Sequence, residues 1–425
     1  MSFTVTKLGQ AMVRPAEPTP AGELSLSAID LLPGLNAKVR TLHVFASGRE
    51  PAKVIREALS KALVYYYPFA GRLVRFSGDG EVHVACTGGG VWLVEASANC
   101  SLRDLNNLEH PLQNVDLLPD PAPEEDPSAM ILLMQVTQFD CGGFVVGLEN
   151  SHCIADGLGT AQFLNAVAEF ARGLDSPTLK PAWCPAAIPA PPKRPAVAPA
   201  ALPPPPRTYH LHRLAIDVSI EDIEAFKAHF FAVTGKTCSA FEALAAAVWQ
   251  CRTRALVSGG ESMKLVFMAD ARSLVQPALP LGFYANCFFP VSVEAEGSWL
   301  ARASRVEVVR LIKEAKARLP EEFRRWAAGD GEDPYAPALG YATLFLSEWR
   351  RLGFERVDYG WGSPAYVVPL TYTDLIPVCI VGSPPAPAEG IRLSTQCVEE
   401  EHLEAFKKHM ISAWQAEDLE AASLD

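Results

Sequence analysis

Apolar residues return along this chain at two periods. Behind Pro51, a residue suited to a first helical turn, Val54, Ile55, Ala58, Ala62 and Leu63 recur at three- and four-residue spacing and predict a helix after the extended segment "RTLHVFAS". Pro68 and Gly71 in "YYYPFAGRL" end it. Two short strands follow in "GEVHVACTGGGVWLVEA", with "TGGG" expected as a tight hairpin between them. A second hairpin is expected from "AMILLMQVTQF" and "GFVVGLENSH" around the turn signal "DCGG". It runs into a helix, "GLGTAQFLNAVAEFARG", striped by Phe163, Leu164, Val167, Phe170 and Ala171.

From Pro177 to Pro206 the pattern stops, because repeated proline removes N–H donors and fixes φ. Beyond it the same mixture restarts. Strands are expected in "YHLHRLAIDVS", "KLVFMADARS", "FYANCFFPVSVEAEG", "AYVVPLTYTDLIPVCIVGS" and "GIRLSTQCVE". Helices are expected in "IEDIEAFKAHFF", "TCSAFEALAAAVWQCRTRAL", "SRVEVVRLIKEAKARL" and "EEEHLEAFKKHMISAWQAEDL". The fold class is α/β: two similar lobes with mixed sheets flanked by helices, residues 1–176 and 207–425, joined by a crossover at 177–206.

Composition narrows the chemistry. The 425 residues are 49% hydrophobic with a net charge of −12, which argues against a nucleic-acid or anionic-membrane binder. Ten cysteines at irregular spacing, without a C-x-x-C pair, are expected to be reduced thiols and to form no zinc site or disulfide. With no signal-like apolar core and no run of some twenty apolar residues, a cytoplasmic protein is expected. No dinucleotide, P-loop, serine-hydrolase or zincin signature is present.

The segment that carries chemistry is "SHCIADGLG", Ser151–Gly159, between a strand and a helix. A histidine, with an ordinary pKa of about 6.5, can take a hydroxyl proton near neutral pH and give it back. Asp156 has two readings, a carboxylate that holds the imidazole or one that caps the helix or pairs with an arginine; the structural reading is favoured. Cys153 is adjacent to His152 on an extended path, faces the other way and reads as core. Taken singly, H-x-x-x-D is a weak signal.

Read with the rest of the chain, it gains weight. "SHCIADGLG" resembles the H-x-x-x-D-G motif of the BAHD family of plant acyl-CoA-dependent acyltransferases, and "VDYGWGSP" resembles that family's D-F-G-W-G motif. "YYPFAGRL", "SAFEALAAAVW" and "DARSLVQPALPLGFYANC" extend the likeness over essentially the whole chain. The resemblance implies a fold like chloramphenicol acetyltransferase, with a solvent channel between the lobes that admits acyl-CoA at one mouth and an alcohol at the other. His152 is then the general base, with no covalent enzyme intermediate, no metal and no permanently bound cofactor; acyl-CoA is a co-substrate. Asp156 and Gly157 are structural. Asp358, in a loop with Gly360, Trp361 and Gly362, is expected to pair with Arg272, and part of 360–395 to pack on the first lobe.

Two positions depart from the family pattern: Tyr359 stands for phenylalanine, and Leu274 where a second arginine is common. For the CoA mouth, Lys236, Arg252, Arg254 and Arg272 lie in the right region, and Ser239, Arg252 and Asn286 are the candidate contacts. For the substrate pocket, strand alternation puts Thr41 and His43 on one face with Phe45, His43 reading first as a satisfied structural histidine; Tyr366, Thr371 and Thr373 are the family's acceptor-side positions. The N-terminal segment resembles the branch of benzyl alcohol benzoyltransferases and p-coumaroyl-CoA:monolignol transferases. The expected activity is transfer of a p-coumaroyl or feruloyl group to a phenylpropanoid alcohol such as a monolignol. The alternatives are benzoyl transfer to benzyl alcohol and a non-catalytic acyl-CoA-binding accessory protein. Partners are expected to be small molecules, with no nucleic acid and no membrane, and the chain a monomer.

Overall fold

A computed structural model describes residues 3–75, 81–108, 115–123, 126–191, 207–256, 261–330, 333–336, 340–370 and 374–414. Its first half runs β1 (Val5–Val13), β2 (Gly22–Ser25), β3 (Lys38–Phe45), α1 (Pro51–Tyr65), β4 (Arg72–Arg75), β5 (Val82–Cys86), β6 (Val91–Ala98), β7 (Leu132–Phe139), β8 (Phe144–Ser151) and α2 (Gly157–Ala171). The second half runs β9 (Leu211–Val218), α3 (Ile220–Thr234), α4 (Ala240–Leu256), β10 (Ser262–Asp270), β11 (Phe288–Glu296), α5 (Gly297–Arg302), α6 (Arg305–Ala327), β12 (Thr343–Glu348), β13 (Tyr366–Pro369), β14 (Val378–Gly382), β15 (Ile391–Glu399) and α7 (Glu400–Ser412). Two six-stranded mixed sheets result, ordered β1-β6-β7-β8-β3-β13 and β11-β10-β12-β14-β15-β9, with a three-stranded sheet β2-β5-β4 beside the first.

The helices lie where apolar stripes demand them. In α1, Ile55, Ala58, Leu59, Ala62 and Leu63 are all buried, and each large side chain so placed contributes about 1.5–3 kcal/mol of transfer free energy. In α2 the stripe of Phe163, Leu164, Val167 and Phe170 is buried likewise, whereas Ala171 is only partly covered. α6 passes Pro320 without ending, because Phe323 and Trp326 beyond it are buried in the core.

The "TGGG" expectation is corrected. β5 pairs with β2 and β4, whereas β6 pairs with β1 and β7, so the two strands flank no hairpin. Gly90, at φ +99°, presses so close to the end of β1 that a Cβ there would lie 2.4 Å from the Val13 carbonyl oxygen. The glycines carry the chain from one sheet to another. The second hairpin forms as expected from sequence, β7 and β8 pairing antiparallel around Gly142.

Neither half is closed on itself. β13 leaves the second half of the sequence and joins the first sheet, with Val367 opposite His43 and Val368 opposite Leu42. One hydrophobic core gathers Phe45, Leu63 and Phe163 together with Tyr284, Phe289, Trp326 and Tyr359, while a second core is built from α3, α4, α6 and the second sheet. The crossover, described as far as residue 191, is tied down where Ala182 donates to the Gly282 carbonyl at 3.0 Å. Its residues 192–206 lie outside the described residues. Among the described residues no helix is long and apolar enough to cross a membrane, and no three His, Cys, Asp or Glu side chains gather as metal ligands.

Candidate active site

β8 ends at Ser151, and the five residues His152–Asp156 turn the chain before α2 begins. The turn is anchored by the His152 N–H to the Ala37 carbonyl at 3.3 Å. His152 Nδ1 lies 3.1 Å from Asn286 Oδ1. Asn286 is fully buried and its Nδ2 spends both hydrogens, on Asp30 Oδ1 at 2.7 Å and on the His152 carbonyl at 2.7 Å. Its main-chain N–H reaches the same Asp30 oxygen at 3.2 Å. Oδ1 of Asn286 can therefore only accept, so Nδ1 of His152 must carry the proton. The lone pair of the neutral imidazole is left on Nε2, the nitrogen a base needs free.

Asp30 is the residue that sequence reasoning missed. It sits in the apolar run "LSAIDLLPGL", where an isolated acid is the only signal, and it is completely buried. Burial pushes its pKa up to about 6 although hydrogen bonds from Ser27 and Asn286 pull the other way. Ser27 and Asp30 hold each other through reciprocal bonds at 2.8 and 3.1 Å. The order Asp30, Asn286, His152 places a carboxylate behind the amide that orients the imidazole.

Asp156 faces away from this line. Its Oδ1 accepts from the Gly159 N–H at 3.0 Å and from Arg272 Nη2 at 2.8 Å, and its Oδ2 accepts from the Cys287 N–H at 3.2 Å. Of the two readings left open above, the geometry is that of a helix cap with an arginine partner. Gly159 is needed here because a Cβ would lie 1.8 Å from the Tyr284 carbonyl oxygen, and at Gly157 one would meet the Leu352 side chain at 2.5 Å. Burial opposes the charge of Arg272, but Asp156 and Asp270 more than offset it and raise its pKa. Cys153 turns into the core and donates to the Leu35 carbonyl at 3.1 Å, burial raising its thiol pKa.

The expected pair of Asp358 with Arg272 does not form. Arg272 is already taken by Asp156 and by Asp270 at 3.0 Å. Asp358 instead accepts the N–H groups of Gly360 and Gly362, both at 2.8 Å, which the positive φ of those glycines turns inward. Burial works against its charge, yet these amides and Arg172 hold its carboxyl below the usual range. Arg172 also donates to its main-chain carbonyl. Trp361 packs edge-on to Phe144, with centroids 5.7 Å apart, and Tyr359 is buried against Phe45 and Phe144. The loop fastens α2 to β13.

Two expected CoA contacts are also corrected. Arg252 is fully buried, donates to the carbonyls of Cys397 and Tyr341 and stacks on the Tyr341 ring, so no phosphate can reach it. Asn286 is committed to His152. Ser239 is a helix cap: its Oγ accepts from the Glu242 N–H at 3.2 Å while Glu242 accepts its own N–H at 2.8 Å. Of the basic residues named with them, Arg254 donates to the Ala301 carbonyl and Lys236 is exposed.

Thr41 and His43 share a face and a hydrogen bond, Oγ1 to Nε2 at 3.1 Å. Burial pushes the His43 pKa down to about 3, so it is neutral, and among the described residues its Nδ1 meets no hydrogen-bond partner. Its ring stands edge-on to Phe354 at 5.2 Å. Phe354 and Tyr366 line a cavity of about 80 Å³ with Trp349, Ile380, Pro384 and Arg392. His152 is not part of its wall; the segment 349–354 links the two places, since Leu352 lies against Gly157. Thr371 and Thr373 lie outside the described residues.

What this arrangement can do is accept a hydroxyl proton at Nε2, while Asn286 and Asp30 hold the ring as it becomes an imidazolium. The profile of the Transferase family matches residues 3–412. The chain is 47% identical over 438 residues to Acyl transferase 4 of Oryza sativa subsp. japonica, covering 96% of this chain and 99% of that one. It is 41% identical over 432 residues to myricetin 3-O-glucosyl 1,2-rhamnoside 6'-O-caffeoyltransferase AT2 of Crocosmia x crocosmiiflora, again covering 96% and 99%. Among solved structures, vinorine synthase matches with a TM-score of 0.73 at 21% identity, over 96% of this chain and 98% of that one. F. sporotrichioides TRI101 complexed with coenzyme A and T-2 matches at 0.69 and 14%, over 91% and 97%. The fold is theirs.

Proposed function

This chain belongs to the Transferase family, the BAHD acyl-CoA-dependent acyltransferases of plants, and is itself an acyltransferase; from that premise we propose that it moves an aromatic acyl group, p-coumaroyl or feruloyl, onto the hydroxyl of a phenylpropanoid alcohol such as a monolignol, as a monomer in the cytoplasm. The observation that carries the catalytic part is the hydrogen-bonded line from Asp30 through Asn286 to His152.

In this reading the alcohol donates its O–H to His152 Nε2 and its oxygen attacks the thioester carbonyl carbon. The C–S bond then breaks, and the imidazolium returns the proton to the departing CoA thiolate. Asn286 Oδ1 accepts the Nδ1–H throughout, and Asp30 stabilises the positive ring through the amide. Thr41, His43 and Tyr366, with the cavity behind Phe354, are proposed as the acceptor side; its aromatic wall of Trp349, Phe354 and Tyr366 suits a flat phenolic alcohol. The caffeoyltransferase relative supports a hydroxycinnamoyl donor. Benzoyl transfer to benzyl alcohol is the second reading, favoured by the same aromatic lining. A panel of p-coumaroyl-, feruloyl-, benzoyl- and acetyl-CoA against coniferyl, benzyl and aliphatic alcohols tests it: the highest kcat/KM is expected for a hydroxycinnamoyl donor with coniferyl alcohol, and a preference for acetyl-CoA with an aliphatic alcohol overturns it.

A further inference from the structure

We propose that Phe288 sets the acyl selectivity of this enzyme by forming the wall against which an aromatic acyl group packs beside His152; this rests on the aromatic donor proposed above. Phe288 opens β11, two residues after Asn286, and both side chains stand beside the same imidazole, Asn286 by its hydrogen bond and Phe288 by its ring. Its ring stands edge-on to the His152 imidazole, with centroids 6.3 Å apart at 74°. Neighbouring Phe289 is 1% exposed and belongs to the core, whereas Phe288 keeps accessible surface.

The wall is rigid. Behind Phe288 stands Tyr335, ring to ring at 6.1 Å, and the Tyr335 hydroxyl donates to the Phe288 carbonyl at 2.6 Å. Tyr335 in turn packs on Phe289 and Trp326. None of Phe288, Tyr335 or Trp326 lines the cavity assigned to the acceptor.

Reaction geometry places the acyl substituent here. The acceptor oxygen sits within hydrogen-bond reach of Nε2, about 3 Å, and the thioester carbon about 3–3.5 Å from that oxygen. The substituent on the carbonyl therefore begins about 6 Å from Nε2, a range comparable with the 6.3 Å that separates the Phe288 ring from the imidazole. An aryl or cinnamoyl ring can stack on it or meet its edge; an acetyl methyl has no ring to do so.

The test uses the full chain with Phe288→Ala, Phe288→Leu and Phe288→Tyr, each checked by circular dichroism and thermal melting. Phe288→Leu keeps apolar bulk without the ring, so it guards against a folding loss in the alanine variant. kcat/KM is measured for p-coumaroyl-, benzoyl- and acetyl-CoA with one alcohol, and for several alcohols with one donor. The expected result is a fall of at least tenfold in the aryl-to-acetyl ratio for the alanine and leucine variants, retention of the ratio with tyrosine, and an unchanged ranking of alcohols. An unchanged ratio in both variants overturns the proposal, as does a change confined to the ranking of alcohols. Wild-type preference for acetyl-CoA is a separate outcome that contradicts the donor class itself, whatever the variants do.

Discussion

Asp30 Oδ1 accepts both the side-chain and the main-chain N–H of Asn286, at 2.7 and 3.2 Å, from a position 256 residues earlier in the chain. That double bond of contact fixes which end of the Asn286 amide faces His152, and through it the tautomer of the imidazole.

Asn286→Ala should therefore lower kcat about 10- to 100-fold, the loss seen when the partner that orients a metal-bound histidine is removed. KM for the donor should move little. Steady-state kinetics on a variant with an unaltered melting temperature reads this directly, and unchanged kcat contradicts the orienting role.

Asp30 makes stability depend on pH with a definite sign. Its pKa in the folded chain, about 6, is raised above the ordinary 3.8, so the folded state binds the proton more tightly than the unfolded state does. The stabilisation is complete below about pH 4 and is lost as pH rises through 6. At neutral pH the buried charge costs on the order of 3 kcal/mol. Asp30→Asn cannot titrate and should lack this loss, so its melting temperature relative to the wild type should rise from pH 4 to pH 7, while turnover falls because the carboxylate behind Asn286 is gone. Thermal melts across that pH range check the sign; a variant less stable at pH 7 than at pH 4, relative to wild type, contradicts it.

Asp156 and Arg272 should behave as a structural unit. Removing Asp156 leaves Arg272 with Asp270 alone, and loss of a charge-assisted hydrogen bond costs about 1.5–3 kcal/mol. Asp156→Ala also uncaps α2, so soluble yield and denaturant midpoint should both drop. Asp156→Asn that folds normally yet loses turnover as fully as a His152 variant would assign the aspartate to chemistry instead.

Asp358 and Arg272, by contrast, should not couple. With no contact between them, a double-mutant cycle of Asp358→Asn and Arg272→Lys should be additive to within about 0.5 kcal/mol. Asp358→Ala alone strips two inward-facing amides of their acceptor and should destabilise the Gly360–Gly362 turn. A coupling well beyond additivity contradicts the geometry.

Much of the site was legible because its signals are local. The strand, glycine turn and helix around His152 come from periodicity within some twenty residues, and Asp156 as a cap is a first-turn signal. What escaped depends on contact across the chain. Asn286 was visible as a candidate but assigned to CoA, since nothing local ties it to a histidine 134 residues away. Asp30 lay unmarked in an apolar run. Arg272 had two acids competing for it, and only folding decides that Asp156 wins and that Asp358 turns to backbone amides. "TGGG" failed because glycine permits several paths, and a close approach to Val13 selected one that no turn rule describes. β1 and β12 carried too little alternation to be read from sequence.

The most direct measurement is turnover of His152→Ala with its best acyl-CoA and alcohol, alongside CoA affinity by calorimetry and thermal melting. Loss of the base should cut kcat by about 10²–10⁴, leaving affinity and melting temperature close to wild type. Turnover within a few-fold of wild type would contradict the account.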